Sequence, residues 1–151
     1  MPRTVLFLCT GNYYRSRFAE EWFNILARQA SLHWSATSRG LALELGAFNV
    51  GPISAHTRRA LAERGIALPE PIRLPAACTE EDLAGADVVI ALKEAEHRGY
   101  LTRKFPDWPD RVTYWHVHDL DRSGPDEAIA EIAELDAKLV GKLAEESGGR
   151  G

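Results

Sequence analysis

The sequence predicts one α/β domain, a four-stranded parallel sheet with helices on both faces. Two observations carry this. Short runs of β-branched and aromatic residues alternate with helical-period segments from end to end, with no internal repeat or low-complexity tract. The chain has 151 residues, 45% hydrophobic and 26% charged, enough to bury one core without disulfides or metal as staples. A net charge of −4 gives no electrostatic case for nucleic acid or an anionic membrane. No apolar run reaches the roughly 20 residues that span a bilayer. Two cysteines, Cys9 and Cys78, make no disulfide framework, and the start shows no signal-peptide cleavage site. The expectation is a cytoplasmic, monomeric protein with reduced thiols.

The first element is Thr4 to Leu8, a continuous apolar run that stops at Cys9-Thr10-Gly11-Asn12. Its length and its stop at a turn predict a strand buried on both faces. Phe18, Ala19, Trp22, Phe23, Leu26 and Ala27 then recur at helical spacing, predicting an amphipathic helix from near Ser16. Leu32 to Ser38 reads as an edge-like second strand, because His33 and Ser35 interleave with Trp34 and Ala36. After a Gly-containing loop, Ser54 caps a helix over residues 55–64, ended by Gly65. Pro69, Pro71 and Pro75 predict a loop. Thr79-Glu80-Glu81-Asp82 resembles a capping box for a short helix closed by Gly85. Val88 to Leu92 is a third buried strand, Lys93 to Lys104 a helix, and Val112 to Val117 a fourth strand. Pro125 opens the last helix, with Asp126 and Glu127 at its positive end and Ile129, Ile132, Leu135, Leu139 and Leu143 on its buried face. The domain is expected over residues 1–146, with 147–151 a flexible tail. Right-handed crossovers give a flavodoxin-like three-layer arrangement.

In such sheets ligands bind beyond the carboxyl ends of the strands. The first strand-to-helix turn reads Cys9-Thr10-Gly11-Asn12-Tyr13-Tyr14-Arg15-Ser16, that is C-x5-R-S. A loop bending back there points successive backbone N–H groups inward as an anion nest, and the following helix adds its positive end. Arg15 can grip two phosphate oxygens with a planar fork. A thiol among such donors has its pKa lowered, so Cys9 is expected to be a thiolate. Ser16 is placed to donate to that sulfur. Gly11 and Asn12 tolerate a left-handed backbone.

The run VLFLCTGNYYRS resembles the signature of the low-molecular-weight protein tyrosine phosphatases, and the resemblance extends along most of the chain. Ser38-Arg39-Gly40 resembles the family's Ser-Ala-Gly after the second strand, and Phe48-Asn49-Val50-Gly51 a segment whose aromatic residue walls the pocket. Residues 79–83 leading into 86–90 are similar to the family's approach to its third strand. The family carries a general-acid Asp after its last strand; in His116-Val117-His118-Asp119-Leu120-Asp121 that position falls on Asp119, with Asp121 the runner-up. Leu120 stands where Pro is usual, and Asp121-Arg122-Ser123 lacks the frequent aromatic.

The resemblance implies hydrolysis of phosphotyrosine or small aryl phosphates without metal or cofactor. Cys9 forms a phosphocysteine, and Asp119 protonates the leaving group and then activates water. Arg15 and the loop amides of Thr10 to Tyr14 bind the phosphate. By the same resemblance Asn12 braces the loop through Ser38, and Ser16 supports the thiolate. Tyr13, Tyr14 and Phe48 are candidate pocket walls, with core packing as their alternative. His116 and His118 alternate on a strand and invite a metal reading, but no further ligand cluster accompanies them. Arg58-Arg59 and Arg103-Lys104 read as solvated helix faces, and Trp108 as cover for the core or a flank of the site. Two other functions fit the loop. One is an arsenate reductase, which needs resolving thiols near the third strand, where only Cys78 lies. The other is a weakly catalytic phosphate-binding regulatory module.

Overall fold

A computed structural model describes residues 2–46, 48–117 and 125–148. The described strands are β1 (Arg3–Cys9), β2 (Trp34–Gly40), β3 (Val88–Ala91) and β4 (Thr113–Tyr114), all parallel in the order β2-β1-β3-β4. The helices are α1 (Arg15–Gln29), α2 (Ala55–Glu63), α3 (Glu80–Gly85), α4 (Glu94–Lys104) and α5 (Pro125–Gly148).

The apolar run of β1 does what its composition dictates. Val5, Leu6, Phe7 and Leu8 are all fully buried. Alternation sends Val5 and Phe7 into a core with Phe18 and Phe23 of α1 and Ile129 and Ile132 of α5. Leu6 and Leu8 enter a second core with Leu83 of α3, Leu101 of α4 and Trp108. β3 repeats the pattern, Ile90 facing the first core and Val89 and Ala91 the second. Two cores either side of one sheet make the three-layer flavodoxin-like arrangement.

Local signals held where they were chemically specific. The Ser54 hydroxyl accepts from the His56 amide at the start of α2. Gly65 takes φ +78 beyond its end, with the Ile66 amide reaching back to the Leu61 carbonyl. Thr79 and Asp82 make both bonds of a capping box at α3. Boundaries moved where backbone bonding overrode composition. The second strand starts at Trp34 rather than Leu32, because the Leu32 amide bonds the Ala27 carbonyl and Ser31 adopts φ +53 to close α1. The fourth strand narrows from the expected 112–117 to Thr113–Tyr114. Beyond it the Trp115 and Val117 amides still bond the Ala91 and Leu92 carbonyls, while His116 makes an antiparallel bridge with Lys93. α5 runs through Ser147 and Gly148, into the stretch expected to be tail. Trp108 covers the second core, its indole N–H donating to Glu80, away from the loop after β1. Lys104 is no mere solvated charge: its ammonium donates to the Leu41 carbonyl and pairs with Glu44, latching the segment after β2.

Candidate active site

At the carboxyl end of β1 the chain turns through residues 10–14 and enters α1. Cys9 ends the strand and is 3% exposed. Asn12 takes φ +50, the left-handed conformation that the turn requires. Gly11 was expected to share that conformation and does not. A Cβ there would meet the Asn49 amide nitrogen at 3.4 Å, an ordinary contact, so space does not demand glycine at this position. The tighter glycine is Gly40, paired with Cys9 in the sheet. A Cβ on it would stand 2.9 Å from the Thr10 carbonyl oxygen and 3.1 Å from the Asn12 nitrogen, so only glycine lets β2 approach the loop.

The buried Asn12 amide is saturated. Its nitrogen donates to Ser16 Oγ at 3.0 Å and to Ser38 Oγ at 2.9 Å. Its oxygen accepts from an Arg73 Nη at 3.1 Å and from the Ala76 amide at 3.0 Å. Ser16 Oγ lies 2.9 Å from Cys9 Sγ. With Asn12 donating to that oxygen, the serine proton is directed at the sulfur. Ser38 Oγ in turn donates to Glu20 at 2.7 Å and accepts from Arg73 at 3.1 Å. Behind the loop, Arg17 donates to the carbonyls of Asn12, Pro52 and Arg73. Burial lowers the Arg17 pKa from its ordinary value, with Arg73 adding to the effect. Beside this cluster burial, helped by a hydrogen bond with Glu20, pushes the Glu21 carboxyl up to about 7.

Arg15 is 2% exposed. One terminal nitrogen donates to the Val117 carbonyl at 3.1 Å and lies 3.0 Å from Glu96 Oε2; the other donates to Glu96 Oε1 at 3.2 Å. A cavity of about 360 Å³ opens above, lined by Cys9, Thr10, Gly11, Tyr13, Tyr14 and Arg15 from the loop, and by Leu45, Gly46, Asn49 and Ser54. Tyr13 lines it with its hydroxyl donating to the Val50 carbonyl. Tyr14 lines it too, but its ring belongs to the first core. Phe48 is not among the lining residues: it is 96% exposed, and Leu45, Gly46 and Asn49 form that side. Asp119, Asp121 and His118 lie outside the described residues. Cys78 is the other free thiol, and it packs against the core of Leu6 and Leu8. Cys9, two residues beyond Phe7 on the strand, belongs by alternation to the opposite face. The sheet therefore stands between the two sulfurs.

The sequence reading missed Glu96, His97, Arg73, Arg17 and Glu20. Only Glu96 and His97 left a trace: they lie in the first turn of the helix after β3, at the sheet edge where ligands bind.

A buried cysteine at the base of an anion-binding loop, with an arginine at its far end and a serine on the sulfur, defines a phosphatase of the cysteine-dependent class. Residues 4–146 match the family described as low molecular weight phosphotyrosine protein phosphatase, and the chain belongs to that family. Among relatives, it is 32% identical over 108 residues to the protein-arginine-phosphatase of Bacillus subtilis (strain 168), a match covering 72% of this chain and 67% of that one. A low molecular weight protein tyrosine phosphatase from T. tengcongensis superposes with a TM-score of 0.73 at 29% identity, over 95% of this chain and 99% of that one. The YwlE arginine phosphatase, in a mutant form with a phosphorylated active-site serine, superposes with a TM-score of 0.76 at 27% identity, over 93% and 95%.

Proposed function

We propose that the protein hydrolyses aryl phosphates, phosphotyrosine in proteins foremost, through a phosphate ester on Cys9. The observation that carries this is the loop itself. Cys9 and Arg15 both line the cavity, Ser16 sits 2.9 Å from the cysteine sulfur, and the Arg15 guanidinium is held by the Val117 carbonyl and Glu96. The sulfur attacks phosphorus and displaces the phenolate, which takes a proton from Asp119. The same carboxylate then draws a proton from the water that cleaves the S–P bond. Arg15 and the loop amides hold the equatorial oxygens, most tightly in the transition state. This positive field replaces a metal, so turnover survives a chelator. The phosphorylated active-site serine of the arginine phosphatase mutant supports the reading of a covalent intermediate. Tyr13 on the cavity favours an aryl group beside the phosphate. We read the protein as a monomer working in the cytoplasm, where its thiols stay reduced. No described helix is long and apolar enough to cross a membrane.

The protein-arginine-phosphatase relative favours a second reading, phosphoarginine in proteins. Arsenate reduction is not favoured, because the sheet separates Cys78 from Cys9. Turnover of p-nitrophenyl phosphate with EDTA present, lost in Cys9→Ser, tests the chemistry. Matched peptides carrying phosphotyrosine or phosphoarginine decide the substrate: a kcat/KM higher for phosphoarginine would overturn the first reading in favour of the second. Asp119→Asn should slow poor leaving groups by about 10²–10⁴-fold and activated ones far less.

A further inference from the structure

The loop's arginine is held by a chain of side chains that begins on another helix. The Lys93 amide donates to His97 Nδ1 at 3.1 Å, which leaves the ring proton on Nε2. That nitrogen lies 3.2 Å from Thr10 Oγ1, and Thr10 donates its own proton to Glu96 Oε1 at 2.7 Å. Glu96 then takes both terminal nitrogens of Arg15, at 3.0 and 3.2 Å. His97 is fully buried, and burial with the Arg15 charge pushes its pKa down to about 3, so it stays neutral in ordinary buffers. Burial raises the Glu96 carboxyl, but the bonds from Arg15 and Thr10 outweigh it and the group stays below its ordinary value.

We infer that Glu96 is a positioning residue for Arg15, and that Thr10 and His97 fix Glu96 in turn. The geometry gives the reason. A guanidinium discriminates the transition state only if its plane is set before phosphate arrives. A two-point carboxylate grip sets that plane, and the Val117 carbonyl supports it. Thr10, next to the nucleophile, makes the same carboxylate a strut between Cys9's neighbour and Arg15. The side chain of Thr10 therefore serves the arginine, while its backbone amide stays with the loop. This inference rests on the proposed phosphatase reading.

The test is a double-mutant cycle. Glu96→Gln keeps the shape and removes the charged two-point grip. It should lower kcat/KM for p-nitrophenyl phosphate by tenfold or more, mostly in kcat. In an Arg15→Lys background the same change should cost less than twofold, because a residue acting through Arg15 has nothing left to position. Thr10→Val, a milder change, should cost a few-fold in the first background and nothing in the second. Thermal melts and near-ultraviolet circular dichroism establish that each variant is folded. A factor that is equal in both backgrounds marks general structural support and overturns the inference, as does a Glu96→Gln enzyme within twofold of wild type. If wild type shows no turnover that Cys9→Ser abolishes, the phosphatase reading has failed rather than this one. The cycle is then run on orthovanadate binding by calorimetry, where equal factors again overturn the inference and a loss confined to the Arg15 background supports it.

Discussion

Cys9 and Cys78 are the same side chain at the same edge of one sheet, in opposite chemical settings. Cys9 closes β1 with a serine hydroxyl on its sulfur and an arginine along its loop. Cys78 leans on the Leu6–Leu8 core and donates weakly to the Thr79 carbonyl, and burial, aided by Asp82, pushes its pKa up to about 12. The two settings thus differ in what surrounds the sulfur: a serine hydroxyl on one, apolar neighbours and acidic charge on the other.

Four experiments can break or sharpen that contrast. The largest effect is expected from the nucleophile: Cys9→Ser should lower turnover by more than about 10⁴-fold, and Cys78→Ser should change it less than twofold, in steady-state assays with an aryl phosphate. Next, Arg15→Lys should cost about 10²–10³-fold, because the ammonium loses the planar two-point grip. Equal activity of Arg15→Lys and wild type would remove the arginine from the account.

Third, peroxide should oxidise Cys9 without an intramolecular disulfide. The loop Thr10 to Tyr14 holds no second thiol to trap the sulfenic acid, and the sheet lies between Cys9 and Cys78. Recovery by dithiothreitol after prolonged exposure should be poor. A Cys9–Cys78 disulfide in high yield, read by mass spectrometry, would contradict the placement of the two sulfurs.

The smallest effect concerns the carboxylates behind the loop. Glu21 titrates near 7 in the folded protein against an ordinary value of 4.5. Between those values the folded state holds a proton that the unfolded chain has released, so stability falls as pH rises through the window. Melting temperatures from pH 4.5 to 7.5 should show that decline, and Glu21→Gln should flatten it. An unchanged slope would mean that the proton is not shared between Glu20 and Glu21.

The parts of the molecule legible in the sequence were those written in contiguous residues. TVLFL followed by C-x5-R-S carried β1, the turn and the start of α1, because one short run holds both the buried strand and its anion loop. The Thr79–Asp82 and Ser54 caps were legible for the same reason. The arginine's support was not: Arg15 and Glu96 are 81 positions apart, and Asn12 and Arg73 are 61 apart. Nothing in Glu94-Ala95-Glu96-His97 itself names a partner; topology turns the first turn of α4 to the loop. Phe48 illustrates the reverse error. Its segment's resemblance to one whose aromatic residue walls the pocket suggested a wall, yet such a resemblance says nothing about which way a surface loop presents the ring.

The central claim is that phosphate passes through sulfur at Cys9. Acid-quenching the enzyme during turnover of an aryl phosphate, followed by peptide mass spectrometry, tests it most directly. The account predicts an acid-trapped phosphate on the peptide that carries Cys9, absent in Cys9→Ser. Phosphate found on Cys78 or on a histidine during turnover, or undiminished turnover by Cys9→Ser, would contradict it.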